Sequence, residues 1–83
     1  MKLTVELEQS DLPEVAICFD AQGLEFLISK LLYLKTHIDH LHLMSGSWGG
    51  NELGEEPVGA PHYKAIHSLR LVRLNDQKPL DAT

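Results

Sequence analysis

The spacing of the hydrophobic residues changes at Asp20, and this change constrains the fold more than any other feature of the sequence. Before Asp20, apolar and polar residues alternate in two short runs, a period of two that is typical of half-buried strands. After it, apolar residues recur at the i, i+3, i+4 and i+7 spacing that lines one side of a helix. They are Leu24, Leu27, Ile28, Leu31, Leu32 and Leu34. The pattern predicts an α+β domain with one amphipathic helix, from about Ala21 to Thr36.

The two runs before the helix predict a hairpin. Their apolar positions are Leu3, Val5 and Leu7, then Val15, Ile17 and Phe19. Asp11 and Pro13 stand between the runs, and both favour turns because Asp can bond its own backbone and Pro fixes φ. Asp20 itself has the side chain of a helix N-cap.

Two more strands are predicted after the helix, over Ile38–Met44 and from about Ala65 to Leu74. In the first of them, Leu41 and Leu43 share one face, and the histidines beside them share the other. We expect a four-stranded, mainly antiparallel sheet in the order 2-1-3-4, in a ββαββ arrangement. The helix would pack on one face of this sheet after a right-handed crossover.

Length and charge limit what such a chain can do. Its 83 residues leave room for one hydrophobic core, so we expect a single domain over residues 1–75 and a frayed tail over 76–83. The net charge of -5 argues against nucleic acid as a partner. Cys18 is the only cysteine, so no internal disulfide is possible, as expected for a protein of a reducing compartment. The residues from Lys2 onward alternate between charged and apolar, which is the pattern of neither a signal peptide nor a membrane span. We therefore predict a cytoplasmic protein with no membrane partner.

Two histidines form the first candidate site. His40 and His42 project from one face of a strand, about 6.5 to 7 Å apart at Cα, which is close enough to share a metal ion. Glu6 from strand one and His67 or Arg70 from strand four would be their neighbours. Two histidines without a fixed third ligand fall short of a zinc signature, so we predict no metal and no cofactor.

Two other patterns point only weakly to catalysis or to nucleotide binding. Cys18 falls on the same predicted face as the histidines, but a thiol in mid-strand lacks an enclosing pocket and an orienting third group. The Gly-rich segment 45–51 lacks the Gly-Lys-Ser/Thr ending and the following helix of a phosphate-binding loop. We predict no catalytic residues and no enzymatic activity.

A long loop from Ser45 to Pro61 is the second candidate site. Loops of this length inside compact domains are uncommon and often functional. Trp48 within it is either an interface anchor, as Trp often is, or a lid over an open end of the core. The acidic residues that follow it would suit a basic partner. They are Glu52, Glu55 and Glu56.

An apolar band on the face away from the helix is the third candidate. Its members are Ile38, Met44, Val72 and Leu74. Exposed bands of this kind often mark subunit contacts, and most soluble oligomers are two-fold dimers. The band therefore predicts a homodimer.

Four segments of the chain resemble a known family. They are Gly23-Leu24-Glu25-Phe26-Leu27, His40-Leu41-His42-Leu43-Met44-Ser45, Trp48-Gly49-Gly50-Asn51-Glu52-Leu53 and His67-Ser68-Leu69-Arg70-Leu71. Together they resemble the immunity protein 32 family of bacterial polymorphic toxin systems, over most of the chain from Gly23 to Leu74. The resemblance implies an α+β protein that neutralises a cognate protein toxin by binding it, without catalytic residues of its own.

The candidate contacts with such a toxin come from the loop and the histidine-bearing strand face. They are Trp48, Glu52, Glu55, Glu56, His40, His42 and Arg70. The alternative function is a small homodimeric metal- or ligand-binding domain that uses His40 and His42. A homodimeric structural subunit of a larger assembly is a third hypothesis.

Overall fold

The computed structural model describes residues 1–76, and the α+β class predicted from the sequence is confirmed. The elements in chain order are β1 (Leu3–Glu8), β2 (Val15–Phe19), α1 (Ala21–Thr36), β3 (His40–Met44), β4 (Tyr63–Ile66) and β5 (Ser68–Val72). The observed helix has the predicted bounds, and β1 and β2 form the predicted hairpin. Most of the predicted tail, residues 77–83, lies outside the described residues.

The sheet topology differs from the prediction. The strands form two sheets, one with the order β2-β1-β4 and one that pairs β3 with β5, and all the pairings are antiparallel. The predicted order 2-1-3-4 in a single four-stranded sheet is therefore wrong. The predicted fourth strand consists of two short strands. Of these, β4 pairs with β1 and β5 pairs with β3. The predicted crossover within one sheet does not occur, because β2 and β3 belong to different sheets.

The two sheets separate at His67, between β4 and β5. Ile66 is the last residue of β4 that pairs with β1, and the backbone carbonyl of His67 already accepts a hydrogen bond of 3.0 Å from the amide of Ser45, next to β3. The carbonyl of Leu3, which β4 does not reach, accepts a hydrogen bond of 2.8 Å from Gly54 instead. A loop residue thus takes the place of a strand, and this divides the sheet.

The core lies between β1, β3 and the helix. Its buried cluster consists of Leu3, Val5, Leu43 and Leu53. The helix adds Phe26 and Leu27 to this cluster and buries Leu34 separately. Several other helix positions that fit the predicted apolar side remain exposed, namely Leu24, Ile28, Leu31 and Leu32. The helix thus buries a narrower stripe than the sequence predicts.

The start of the helix is specified by two residues. The side chain of Asp20 accepts a hydrogen bond of 2.7 Å from the amide of Gly23, which confirms the predicted N-cap. Gly23 is buried, and a Cβ at this position would collide with the carbonyl oxygen of Lys2. The absence of a side chain therefore lets the first turn lie against the start of β1. In residues 1–76 no helix is long and apolar enough to cross a membrane.

The loop between β3 and β4, residues 45–62, covers the face of β1 that points away from the helix. Glu6 on this face is 0% exposed, and its carboxylate accepts hydrogen bonds from the Thr4 hydroxyl at 2.6 Å and from the amides of Val58 at 2.9 Å and Gly59 at 3.2 Å. Hydrogen bonds to a charged group are stronger than neutral ones. This carboxylate therefore ties the end of the loop to the first strand.

Replacement of Gly23 by Ala tests the close contact at the helix start. Ala would favour the helix by up to about 1 kcal/mol from propensity alone. The collision with Lys2 outweighs this gain, so we expect Gly23→Ala to lower the free energy of unfolding by about 1–3 kcal/mol in urea titrations. Gln22→Ala, on the exposed side of the same turn, is the control and should change it by less than about 0.5 kcal/mol. A Gly23→Ala protein as stable as the wild type would contradict the contact.

Replacement of Glu6 by Ala tests the attachment of the loop. We expect the free energy of unfolding to fall by about 2–3 kcal/mol, because the amides of Val58 and Gly59 lose a charged acceptor. Glu8→Ala is the matched control, since this carboxylate on the same strand bonds only the exposed hydroxyl of Ser10 among the described residues, and it should cost less than about 0.5 kcal/mol. Equal losses in the two variants would show that the Glu6 bonds contribute nothing.

The same carboxylate predicts how stability changes with pH. Burial raises the pKa of Glu6, but the hydrogen bonds from Thr4, Val58 and Gly59 outweigh burial, and the pKa lies below its ordinary value of 4.5. A lowered pKa in the folded state gives stability that is present above the unfolded pKa and is lost as the pH falls through the folded one. Acid titration of the unfolding free energy should therefore show a loss below pH 4.5 that is smaller in Glu6→Gln.

Candidate functional site

One open surface carries the predicted histidines, and we call it the histidine face. It consists of the residues of β3 and β5 that point away from the core, namely His40, His42, Met44, Ser68, Arg70 and Val72. His42 is paired with Arg70 and His40 with Val72 across the two strands. The predicted proximity of Arg70 to the histidines is therefore observed. His40, His42 and Arg70 are all exposed.

The two histidine rings contact each other edge to face, with centroids 5.2 Å apart. Asp39 lies beside them: its carboxylate accepts a hydrogen bond of 2.7 Å from the His40 amide and lies 3.9 Å from the His40 ring. The hydrogen bond from the backbone amide of His40 lowers the pKa of Asp39, and the hydrogen bond from the Tyr33 hydroxyl lowers it further. The histidine face thus presents the rings of His40 and His42 and the guanidinium of Arg70 to solvent, with the carboxylate of Asp39 beside them.

The histidine face does not gather a set of metal ligands. Glu6, proposed above as a neighbour, is buried under the loop, and His67 bonds to Ser45 instead of facing the histidines. Among residues 1–76, no group of three or more His, Cys, Asp and Glu side chains is arranged to hold a metal ion. His40 and His42 are exposed side chains on an open strand face.

Ser45, His67 and Glu55 form a second polar cluster that resembles a catalytic triad in composition only. The Ser45 hydroxyl lies 2.7 Å from Nδ1 of His67, and Glu55 Oε1 lies 3.6 Å from the same nitrogen. A triad needs the serine and the acid on opposite ring nitrogens. Ser45 is also fully buried, so a substrate has no access to its hydroxyl.

Cys18 is separated from the histidines as well. It pairs with Thr4 across the first hairpin and lies on the covered face beside Glu6. Burial raises the pKa of the Cys18 thiol, and the charge of Glu6 raises it further. Both effects disfavour the thiolate, which is the nucleophilic form of cysteine.

Trp48 lies on a short, well-held turn, which we call the tryptophan turn (Gly46–Trp48, a 3-10 helix). The amide of Trp48 donates to the Ser45 carbonyl at 3.0 Å, and the turn ends at Gly49, which has φ of 88° and suits glycine. The Trp48 side chain is 61% exposed. Leu53 of the same loop belongs to the buried core cluster, whereas Trp48 is mostly exposed, which argues against the lid alternative.

The three acidic residues of the loop have different environments. Both carboxylate oxygens of Glu55 accept hydrogen bonds of 2.6 Å from Ser47, one from its amide and one from its hydroxyl, and these bonds lower the pKa of Glu55. Glu52 accepts a bond of 2.8 Å from the Met44 amide. Glu56 is exposed. Glu52 and Glu55 thus shape the loop in addition to giving it negative charge.

Sequence patterns did not identify Ser47 or Leu53 as key residues of this site. Ser47 holds Glu55, and Leu53 anchors the middle of the loop in the core. One signal for Leu53 was available, because it is a large aliphatic residue in a segment otherwise rich in Gly and Glu. For Ser47 there was none, since a serine in a Gly-rich loop has many roles.

Replacement of Glu55 by Gln tests whether this carboxylate makes the tryptophan turn rigid. Gln keeps the shape of Glu55 but removes its charge, so the hydrogen bonds with Ser47 become weaker and Trp48 should move more freely. Because Trp48 is the only Trp of the chain, its fluorescence anisotropy reports this motion directly. We expect lower anisotropy in Glu55→Gln and no change in the neighbouring control Glu56→Gln. An unchanged value in both would mean that Glu55 does not restrain the turn.

The chain was compared with known proteins at three levels. It matches no protein-family model, no curated protein and no solved structure. The resemblance to the immunity protein 32 family accordingly stays a prediction from the sequence.

Proposed function

We propose that this protein is a toxin-neutralising immunity protein that acts by binding a cognate bacterial protein toxin. The observation that carries the binding role is the exposed Trp48 on a turn fixed by Glu55 and Ser47. A large aromatic side chain held in place before binding loses little entropy when a partner covers it, and Trp is strongly enriched among residues that dominate binding energy. The class of partner comes from the family resemblance of the sequence.

The charges around the tryptophan turn support a basic partner surface. The chain carries a net charge of -5, and the carboxylates of Glu55 and Glu56 are exposed within the same loop. Complementary charge speeds association and selects partners more than it adds affinity. An acidic loop that carries an aromatic anchor therefore suits a toxin with a basic active-site cleft.

The histidine face supplies a second set of candidate contacts. Arg70 is the kind of side chain that anchors interfaces, because its guanidinium can make several hydrogen bonds at once. His40 and His42 lie beside it and offer flat, partly polar rings. The tryptophan turn follows β3 directly along the chain, so one partner could cover both the turn and this end of the face.

The alternative of a metal- or ligand-binding domain on His40 and His42 has less support. The described residues provide two histidines and an adjacent aspartate on an open strand face, without a further ligand directed at them. Ligand sites are usually concave and enclosed. The binding role is therefore assigned to a protein surface.

Co-expression with the toxin-like protein encoded beside this gene tests the proposal. The toxin alone should stop growth of the host, and co-expression of this protein should restore it, with a stable complex recovered by affinity purification. A neighbouring toxin that kills equally well with and without this protein would refute the proposal.

Alanine substitution of Trp48 tests the carrying observation. We expect Trp48→Ala to weaken binding of the toxin by about 30-fold or more, corresponding to about 2 kcal/mol, in calorimetry or surface plasmon resonance. Val58→Ala is the matched control, because Val58 is an exposed apolar residue of the same loop whose backbone bond to Glu6 survives the change. It should alter affinity less than about 3-fold. Equal affinities for the wild type and Trp48→Ala would show that Trp48 does not contribute to the interface.

A further inference from the structure

β2, one of the two outer strands of the three-stranded sheet, has an unprotected edge. β2, with the sequence Val15-Ala16-Ile17-Cys18-Phe19, contains no charged residue, no glycine and no proline. Within residues 1–76, β2 pairs with β1 alone. Natural proteins usually protect a free edge with charges, prolines or bulges, because an unprotected edge pairs with other strands. This edge has none of those features.

The hydrogen bonds of the hairpin show which backbone groups point outward. The Glu8 amide donates to Glu14 and the Asp20 amide donates to Lys2 at the two ends of the β1–β2 pairing. Hydrogen-bonded and non-hydrogen-bonded pairs alternate along an antiparallel ladder, so the even-numbered residues of β2 bond to β1. The amides and carbonyls of Val15, Ile17 and Phe19 therefore point away from β1, toward the free edge.

The same three residues carry exposed apolar side chains. Val15 is 63% exposed, Ile17 40% and Phe19 47%. They lie on the sheet face that the helix covers, as their pairing with Leu3, Val5 and Leu7 shows. The helix begins two residues after β2, and three of its exposed apolar residues share one flank, namely Leu24, Ile28 and Leu31.

We propose that β2 pairs antiparallel with β2 of a second copy of this chain, about a two-fold axis that passes beside Ile17. Ile17 then lies opposite Ile17 of the second copy, and Val15 lies opposite Phe19. Because all three residues direct their amides and carbonyls outward, this register satisfies every one of those groups. The two three-stranded sheets become one continuous six-stranded sheet.

The size and charge of this surface favour a second copy as the occupant. β2 and the helix flank together expose six apolar side chains, and exposed apolar residues in such numbers often mark protein interfaces. A standard interface buries about 800 Å² per partner, and the strand edge and the polar rim would supply the rest. A chain of net charge -5 repels its own copies, but β2 brings no charged side chain to the two-fold axis.

The predicted dimer contact through Ile38, Met44, Val72 and Leu74 is less suited to self-association. Its central residues share the histidine face with Arg70, so a two-fold contact there would bring like charges together. The β2 edge avoids this repulsion. It also leaves the histidine face and the tryptophan turn outside the pairing strands, so the dimer stands independently of the proposed toxin.

Sedimentation equilibrium and hydrogen exchange of the full chain test the dimer. We expect a monomer–dimer equilibrium between about 1 and 100 μM. We also expect the amides of Val15, Ile17 and Phe19 to be protected from exchange only at the high end of that range. A chain that stays monomeric throughout would overturn the proposal. Protection of these amides in the monomer would also overturn it, since another part of the chain would then cover the edge.

Two substitutions test whether the dimer interface lies at the edge of β2. Ile17→Lys places a charge at the two-fold axis and should shift the dissociation constant at least 10-fold toward the monomer. Val72→Lys, on the histidine face and exposed to a similar degree, is the matched control and should leave it unchanged. Loss of the dimer in Val72→Lys, or its persistence in a folded Ile17→Lys protein, would overturn the proposal. If Ile17→Lys fails to fold, the exchange data on the wild type decide.

Discussion

The buried carboxylate of Glu6 is the interaction on which the arrangement of this molecule depends. It lies in the middle of the first strand, yet it bonds the amides of Val58 and Gly59, which follow it by 52 and 53 residues. The ionised form is kept because hydrogen bonds replace the water that burial removes. Through these bonds the long loop is held against the face of β1 that the helix leaves uncovered.

The position of this loop explains why the sheet is divided. Leu53 enters the core and Gly54 bonds the Leu3 carbonyl, so the place beside the start of β1 is occupied by the loop. The chain after Ile66 therefore leaves β1 and pairs with β3. One consequence is that the histidine face, which belongs to the two-stranded sheet, remains open while the opposite face of β1 is covered.

The surfaces of the molecule have different characters as a result. The tryptophan turn and the histidine face combine rings, carboxylates and Arg70, a mixture that suits a specific protein partner. The edge of β2 is uncharged and apolar, and its free backbone groups suit another strand. The hydroxyl of Ser45 is buried, and the thiol of Cys18 lies beside Glu6 on the covered face of β1.

Local periodicity determined much of the fold. The bounds of the helix, its cap at Asp20, the first hairpin and the common face of His40 and His42 all follow from spacing within short segments. The sequence predicted these correctly because each depends on residues near one another in the chain, where helix and strand periods and turn residues act directly.

Tertiary structure alone decided the strand order, the break at His67 and the burial of Glu6 and Leu53. Each depends on hydrogen bonds or packing between segments far apart in the chain, and several pairings of similar local quality compete for them. Glu6 illustrates the limit: the sequence predicted it as a neighbour of His40 and His42, and the return of the loop instead buries it against the amides of Val58 and Gly59. The same limit applies to the long loop, in which Trp48 is exposed and Leu53 is buried.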